Sequence, residues 1–260
     1  MKKTIFHVIA LILIMVVITS CEKVNDSDDS RYRIIKIADN VAMENPFFTF
    51  EYDSHGRVVK LFRGTKTCRE VEYNQNGNPV KISSFDLEYG GNSPYRIKTI
   101  QWDGSSFIVT ESDWQERKEI FHLNDKKQLE SRISLTTEYG NPEYDTTDVT
   151  TFTKISNDKI KIVRDYYPIG SGGWEETFTL GTLNSPYKGI DVAVLWLSDV
   201  CFGEWEMEFQ NEFNIIGWGG GSLKATINYD VEFGKYPVRA DILYNASSNH
   251  EYVYFLYEEY

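Results

Sequence analysis

Phe50-Glu51-Tyr52-Asp53-Ser54-His55-Gly56-Arg57-Val58-Val59-Lys60-Leu61 is the stretch that decides the fold: two short alternating segments joined by Asp-x-x-Gly. Moving on by 21 residues gives Glu72-Tyr73-Asn74-Gln75-Asn76-Gly77-Asn78-Pro79-Val80-Lys81-Ile82, with the aromatic, the Asx residue, the glycine and the apolar strand start in register. Asp or Asn at the first position of a type I turn bonds the backbone two residues on, and Gly accepts φ > 0 where the chain re-enters a strand. Each copy therefore predicts a β-hairpin, with Asp53, Gly56, Asn74 and Gly77 as its turn residues. Asn124-Asp125-Lys126-Lys127 reads as a degenerate third copy, in which Lys127 stands where the glycine would be.

Outward from the repeats the same period-2 alternation continues. Phe48, Phe50 and Tyr52 share one strand face and Thr49 and Glu51 the other, as a half-buried sheet requires. Strands are predicted over Arg31–Ile37, Thr67–Asn74, Tyr95–Trp102, Ser105–Glu111, Arg117–Leu123, Gln128–Leu135, Asp148–Ile155, Lys159–Tyr166 and, at the end, Tyr252–Tyr257. Tyr229-Asp230-Val231-Glu232-Phe233-Gly234 reads as a late variant of the repeat. Regular hairpins without intervening helical patterns predict an all-β fold, a strongly curved or barrel-like antiparallel meander of about ten strands. Asn184-Ser185-Pro186-Tyr187-Lys188-Gly189 interrupts it, and the dense apolar run Ile190–Val200 predicts one short helix that plugs an end of the sheet or covers an edge.

The N-terminus carries an address. Lys2 and Lys3 precede the apolar run Ile5–Ile18, whose 14 residues fall short of the ~20 that span a bilayer. Ile18-Thr19-Ser20-Cys21 follows and resembles the lipobox of bacterial lipoproteins, which implies cleavage before Cys21 and acylation (palmitate) of its thiol. Two or three acyl chains, at ~0.8 kcal/mol per buried methylene, anchor stably where one does not. The expected organisation is a signal peptide over 1–20, a flexible acidic tether over 21–30, and a single β domain over 31–260. Acidic residues close behind Cys21 also resemble the signal that exports some lipoproteins to the outer face of the outer membrane, and read equally as a solvated linker.

Charge limits the partners. The formal net charge of −12 opposes nucleic acid, whose binding relies on Lys and Arg neutralising phosphates, and it opposes direct adsorption to an anionic membrane. The expected membrane contact is therefore through the N-terminal lipid alone.

Chemistry is harder to place. His55, His122 and His250 have no metal-ligand spacing. Glu204, Glu206 and Glu208 would share a strand face and could attract Ca²⁺, but they read more simply as a solvated face, because calcium sites take their ligands from a tight loop. Gly217-Trp218-Gly219-Gly220-Gly221-Ser222 lacks the Gly-Lys-Ser/Thr of a phosphate cradle, and Gly170-Ser171-Gly172-Gly173-Trp174 lacks a nucleophile elbow. Both read as loops. Their rings, Trp174 and Trp218, read first as core residues at strand starts, and they are also the candidate ligand-stacking residues. Catalytic residues, metals and cofactors are not expected. Cys68 and Cys201 are expected to remain unpaired.

The lipobox, the acidic tether, the Tyr-Asp-x-x-Gly-Arg and Tyr-Asn-x-x-Gly-Asn hairpins and the late Tyr236-Pro237 followed by an aromatic strand together resemble a family of uncharacterised bacterial lipoproteins described as having a porin-like fold. The hairpins also resemble the tyrosine-aspartate repeats of secreted toxins and wall proteins. The resemblance implies a barrel-like sheet in the cell envelope and carries no catalytic residues. A membrane barrel would show an apolar belt outward on every strand, whereas several strands here alternate charge with aromatics, so an inward core is expected. The functional expectation is a non-catalytic binding module for a glycan or host macromolecule. The alternatives are a structural or assembly lipoprotein of an envelope machine and, third, a glycoside hydrolase acting through paired carboxylates.

Overall fold

The computed structural model describes residues 32–111, 117–137, 144–167, 172–198, 200, 213–219, 225–233, 235–244 and 247–260. Sixteen antiparallel strands run in chain order: β1 (Tyr32–Ala38), β2 (Phe48–Tyr52), β3 (Val58–Arg63), β4 (Thr67–Tyr73), β5 (Pro79–Asp86), β6 (Arg96–Asp103), β7 (Ser106–Glu111) and β8 (Arg117–Leu123) form the first half. The second half comprises β9 (Leu129–Thr137), β10 (Tyr144–Ser156), β11 (Lys159–Tyr166), β12 (Gly173–Asn184), β13 (Phe213–Trp218), β14 (Ala225–Phe233), β15 (Tyr236–Tyr244) and β16 (Asn249–Glu259). Each strand pairs with its sequence neighbours, and β1 pairs with β16 to close the barrel. The all-β meander is as expected, but the count of about ten strands is corrected to sixteen. β12, β13 and β15 lie in segments that the glycine clusters and the Tyr-Pro step make look like loops.

The repeat is visible in hydrogen bonds. Asp53 Oδ1 accepts from the backbone N–H groups of His55 (2.9 Å) and Arg57 (3.0 Å). Asn74 Oδ1 accepts likewise from Asn76 and Asn78, both at 3.0 Å, and Asn124 Oδ1 from Lys126 (2.9 Å) and Gln128 (3.0 Å). Gly56 (φ 75), Gly77 (φ 80) and Lys127 (φ 62) hold the same left-handed position. The register slips by one residue at Glu51/Tyr52, at Glu72/Tyr73 and at His122/Leu123, so all three hairpins share one bulge as well as one turn. The segment at Tyr229 differs: Asp230 stays within the ladder opposite Arg239, and the turn comes later, between Phe233 and Tyr236.

Tyrosine in the repeat has a second duty. Tyr52 donates its hydroxyl to the Ile34 carbonyl (2.6 Å) and Tyr73 to that of Val58 (2.7 Å), each latching a hairpin to the preceding strand. Tyr229 and Tyr257 do the same to Ile215 (2.7 Å) and Pro237 (2.9 Å). Burial pushes the phenols of Tyr52 and Tyr73 up, well above the ordinary tyrosine range.

Apolar residues face inward. Ile34, Leu61, Ile82, Phe107, Phe121, Ile162 and Ile242 belong to one continuous core. Outward positions carry cross-strand ion pairs, among them Lys60–Glu70 (2.8 Å), Lys81–Glu72, Lys161–Glu175 and Arg239–Asp230 (each 2.7 Å). A lipid-facing belt would invert that arrangement. A helix, α1 (Val192–Leu197), fills the lumen: all six residues are buried, and Trp196 lies edge-on to Phe121 and Phe152, both with centroids at 6.0 Å. Asp191 caps it, accepting from the Ala193 N–H at 2.8 Å. Of the two expected roles for this segment, plug and edge cover, the fold takes the plug, since a closed barrel has no edge.

Candidate functional site

Strand alternation and strand direction together divide the barrel into two ends. One end holds the Asx hairpins at 53–57, 74–78 and 124–128, the chain's first strand residue Tyr32, its last residues, and the segment leading into α1. The opposite end holds the connections 39–47, 64–66 and 87–95, together with Tyr167 and Gly172. Along β6, β7, β8, β10 and β11 the inward residues change character from the first end to the second. Ile100 gives way to Lys98, Val109 to Glu111, Phe121 to Glu119, Phe152 to Asp148 and Ile162 to Arg164.

These charged residues line a cavity of ≈ 360 Å³, with Arg96, Arg117, Arg132, Ser134, Thr136 and Thr147 in the walls and Trp196 of the plug as part of its floor. Register explains the convergence. Lys98 faces Glu111, Glu111 faces Arg117, Glu119 faces Ser134 and Ser134 faces Asp148, so one row of inward positions crosses neighbouring strands.

Asp148 is the centre of the ion network. Arg132 Nη2 donates to its Oδ1 at 2.7 Å, while Arg164 donates from Nε at 3.0 Å and from Nη2 to Oδ2 at 3.2 Å. Burial opposes ionisation of Asp148, but the two guanidinium groups outweigh it and hold its carboxyl below the usual range. Glu119 differs: burial dominates, its nearest guanidinium nitrogen is Arg132 Nη1 at 3.6 Å, and its carboxyl is pushed up. Arg96 pairs with Glu111. Lys98 Nζ donates to the Leu197 carbonyl at 3.1 Å, where a cation complements the helix C-terminus. Arg132 also stacks over the Trp196 ring at 5.2 Å, and its buried Nε has no acceptor.

Aromatic side chains surround this end. Tyr89, Tyr95, Tyr166 and Tyr167 are exposed there, Tyr89 most of all at 88%. Arg164 stacks over Tyr166 at 5.2 Å, which joins the aromatic rim to the charged wall. A second hollow of ≈ 750 Å³, lined by residues that include Pro46, Phe47, Phe62 and Lys66, opens at the same end.

The sequence-predicted residues are distributed otherwise. Asp53, Gly56, Asn74 and Gly77 occupy hairpin turns at the end away from the cavity. Trp218 requires correction as a ligand-stacking residue: it is the last residue of β13, with 0% exposure and Tyr244 edge-on at 6.2 Å. A ring with no exposed face cannot receive a ligand. Trp174 is likewise in a strand, β12, half-buried against the core and directly opposite Arg164, hence on the cavity's side of the sheet. Cys21, Cys201, the 204–208 glutamates, Ser171 and Gly220–Ser222 lie outside the described residues. Cys68 is a free, buried thiol. His122 contacts Ser106 Oγ and His250 contacts Asp241, each at 2.8 Å. No group of metal-holding side chains occurs among the described residues.

The cavity residues escaped the sequence reading because each is an ordinary charge on an ordinary strand. Their one sequence signal is that inward positions in five strands change from apolar to charged towards the same end, which becomes visible only once the registers are known.

No family model matches the chain, and no curated protein sequence matches it. Among solved structures it is similar to a porin-like protein from Bacteroides uniformis ATCC 8492 (TM-score 0.40, 12% identity, 88% of this chain and 97% of that chain covered). It is similar also to a porin-like protein from Bacteroides vulgatus ATCC 8482 (TM-score 0.40, 12% identity, 86% and 98% covered).

Proposed function

We propose that this chain is a lipid-anchored lipoprotein of the bacterial cell envelope whose barrel is a non-catalytic binding module for a glycan, received at the charged, aromatic-rimmed end. The cavity among Lys98, Glu111, Glu119, Arg132, Asp148 and Arg164 carries the reading. Its ≈ 360 Å³ lies at the small end of the 300–1,000 Å³ range of ligand sites, and such sites combine a few convergent polar groups with aromatic surface. The chain enters the barrel at Tyr32, on the opposite end. The plug α1 and the filled core argue against conduction through the lumen.

Binding is tested by titrating the full-length chain, purified in detergent, with a panel of neutral and acidic mono- and oligosaccharides in a calorimeter. Saturable heat that disappears in Arg132→Met supports the reading, provided the variant's melt shows that it folds. Absence of heat with every saccharide rejects it.

A second reading, glycoside hydrolysis, is favoured by one observation. Glu119 and Asp148 share the cavity with their acidities pushed in opposite directions, as in an acid/base pair. Against it, Asp148 is bound by two arginines, which hinders attack or proton abstraction. Release of reducing ends from acidic oligosaccharides, lost in Glu119→Gln, would establish the hydrolase in place of the binding module.

A further inference from the structure

We infer that the cavity is a subsite for a single sugar acid, whose carboxylate is received by the arginines at the mouth and whose hydroxyls meet the wall's Ser134, Thr136 and Glu119. This inference rests on the glycan-binding reading and narrows it to one ligand class. Charge is the first argument. Five cationic side chains, Arg96, Lys98, Arg117, Arg132 and Arg164, line the cavity against three carboxylates, Glu111, Glu119 and Asp148. The cavity is therefore positive in a chain whose net charge is −12. Cations are concentrated here, where the low dielectric strengthens their pull on an anion.

The second argument is which donors are already engaged. Arg96 is engaged by Glu111, and Arg164 by Asp148. Arg117 is exposed at the mouth and has no ion-pair or hydrogen-bond partner among the described residues. Arg132, nine-tenths buried, keeps an Nε–H without an acceptor, and a buried donor left unpaired is costly. An incoming carboxylate supplies Arg117 with acceptors, and a planar carboxylate matches the guanidinium fork.

The third argument separates a sugar acid from other anions. Ser134, Thr136 and Thr147 put hydroxyls in the wall and Glu119 puts an acceptor there, so a polyhydroxylated ligand finds partners that a simple aliphatic acid does not use. The volume of ≈ 360 Å³ suits one sugar ring, with the tyrosine rim left for the following residues of a chain.

The test is calorimetric titration of the full-length protein in detergent with glucuronate, galacturonate, glucose, glucose 6-phosphate and inorganic phosphate. Glucuronate or galacturonate is expected to bind, glucose at least about tenfold more weakly, and raising NaCl from about 50 mM to about 500 mM should weaken the acid but not glucose. Arg117→Gln is the chosen variant, because its side chain is exposed and supports no neighbour among the described residues. It should cost the acid about tenfold and leave any glucose binding unchanged. Thr136→Val should weaken uronate binding without changing its salt dependence. If glucose binds as tightly as the uronates, the acid subsite is wrong while the glycan module stands. If inorganic phosphate or glucose 6-phosphate is preferred, the site is for phosphate and the inference is overturned. If no saccharide binds at all, the module falls together with its subsite.

Discussion

At position 127 a lysine holds the left-handed backbone (φ 62) that glycine holds at 56 and 77. For a residue with a Cβ that conformation costs roughly 1–2 kcal/mol, of which glycine's greater unfolded-state freedom returns about half. Lys127→Gly is therefore expected to stabilise the barrel by about 0.5–1 kcal/mol, read as a higher urea midpoint at unchanged slope. The reverse change at the first copy is expected to be worse than the backbone penalty alone. A Cβ on Gly56 would meet the Tyr260 ring at 3.2 Å, so Gly56→Val should destabilise by about 2 kcal/mol or more. Were Gly56→Val neutral in the same melts, the packing of the first hairpin on the C-terminal residue would be wrong. The turn pattern was legible in sequence because an Asx side chain and a left-handed residue act within five positions of each other.

Ion pairs belong to the scale of neighbouring strands, and the two buried acids there make opposite predictions. Asp148 is held below its ordinary 3.8 by Arg164 and Arg132. Its contribution to stability is complete above the unfolded value and is lost as pH falls through the folded one. Glu119 is raised above its ordinary 4.5 by burial. The native state then binds more protons than the unfolded chain, so this group's contribution falls as pH rises from about 4.5 through the folded value. Asp148→Asn should accordingly destabilise at pH 7 and flatten the acid limb of the stability curve, whereas Glu119→Gln should be neutral or stabilising at pH 7. Thermal melts between about pH 3 and pH 8 separate the two, and a large loss in Glu119→Gln at pH 7 would contradict the assignment. The plug has its own test. Trp196 packs on Phe121 and Phe152 under Arg132, and Trp196→Ala is expected to cost about 3–5 kcal/mol, seen as a lower midpoint in the same denaturation series.

Over the whole molecule, closure and anchorage set the predictions. β1 meets β16 from Tyr32↔Glu259 to Ala38↔Tyr254, and Arg33 seals the seam between the rings of Tyr52 (4.4 Å) and Tyr260 (4.7 Å) while pairing with Glu258 at 2.7 Å. A chain ending before β16 leaves β1 and β15 with open edges and should be recovered as aggregate instead of a cooperative folder. Recovery of a soluble, cooperatively melting protein from that truncation would show that closure is dispensable. Acylation is expected at Cys21: cells given labelled palmitate should incorporate label into the wild type and none into Cys21→Ser. An unlabelled wild type would remove the anchor.

Sequence alone determined the hairpin unit, its turn residues, the all-β meander and the short helix, because turns and period-2 alternation are local: the residues that encode them touch one another in the chain. Tertiary structure decided what depends on distant partners. Sixteen strands close on themselves because Tyr32 finds Glu259 at the other end of the sequence, and no local pattern reports that pairing. Trp218, for which the sequence offered both a core role and ligand stacking, is core because Tyr244 and the closed wall bury it. The cavity exists because register brings Lys98, Glu111, Glu119, Asp148 and Arg164 from five strands to one end of a lumen whose other end is apolar. Each of these charges looks solvated in its own strand, and only the curvature of the sheet turns them towards one another.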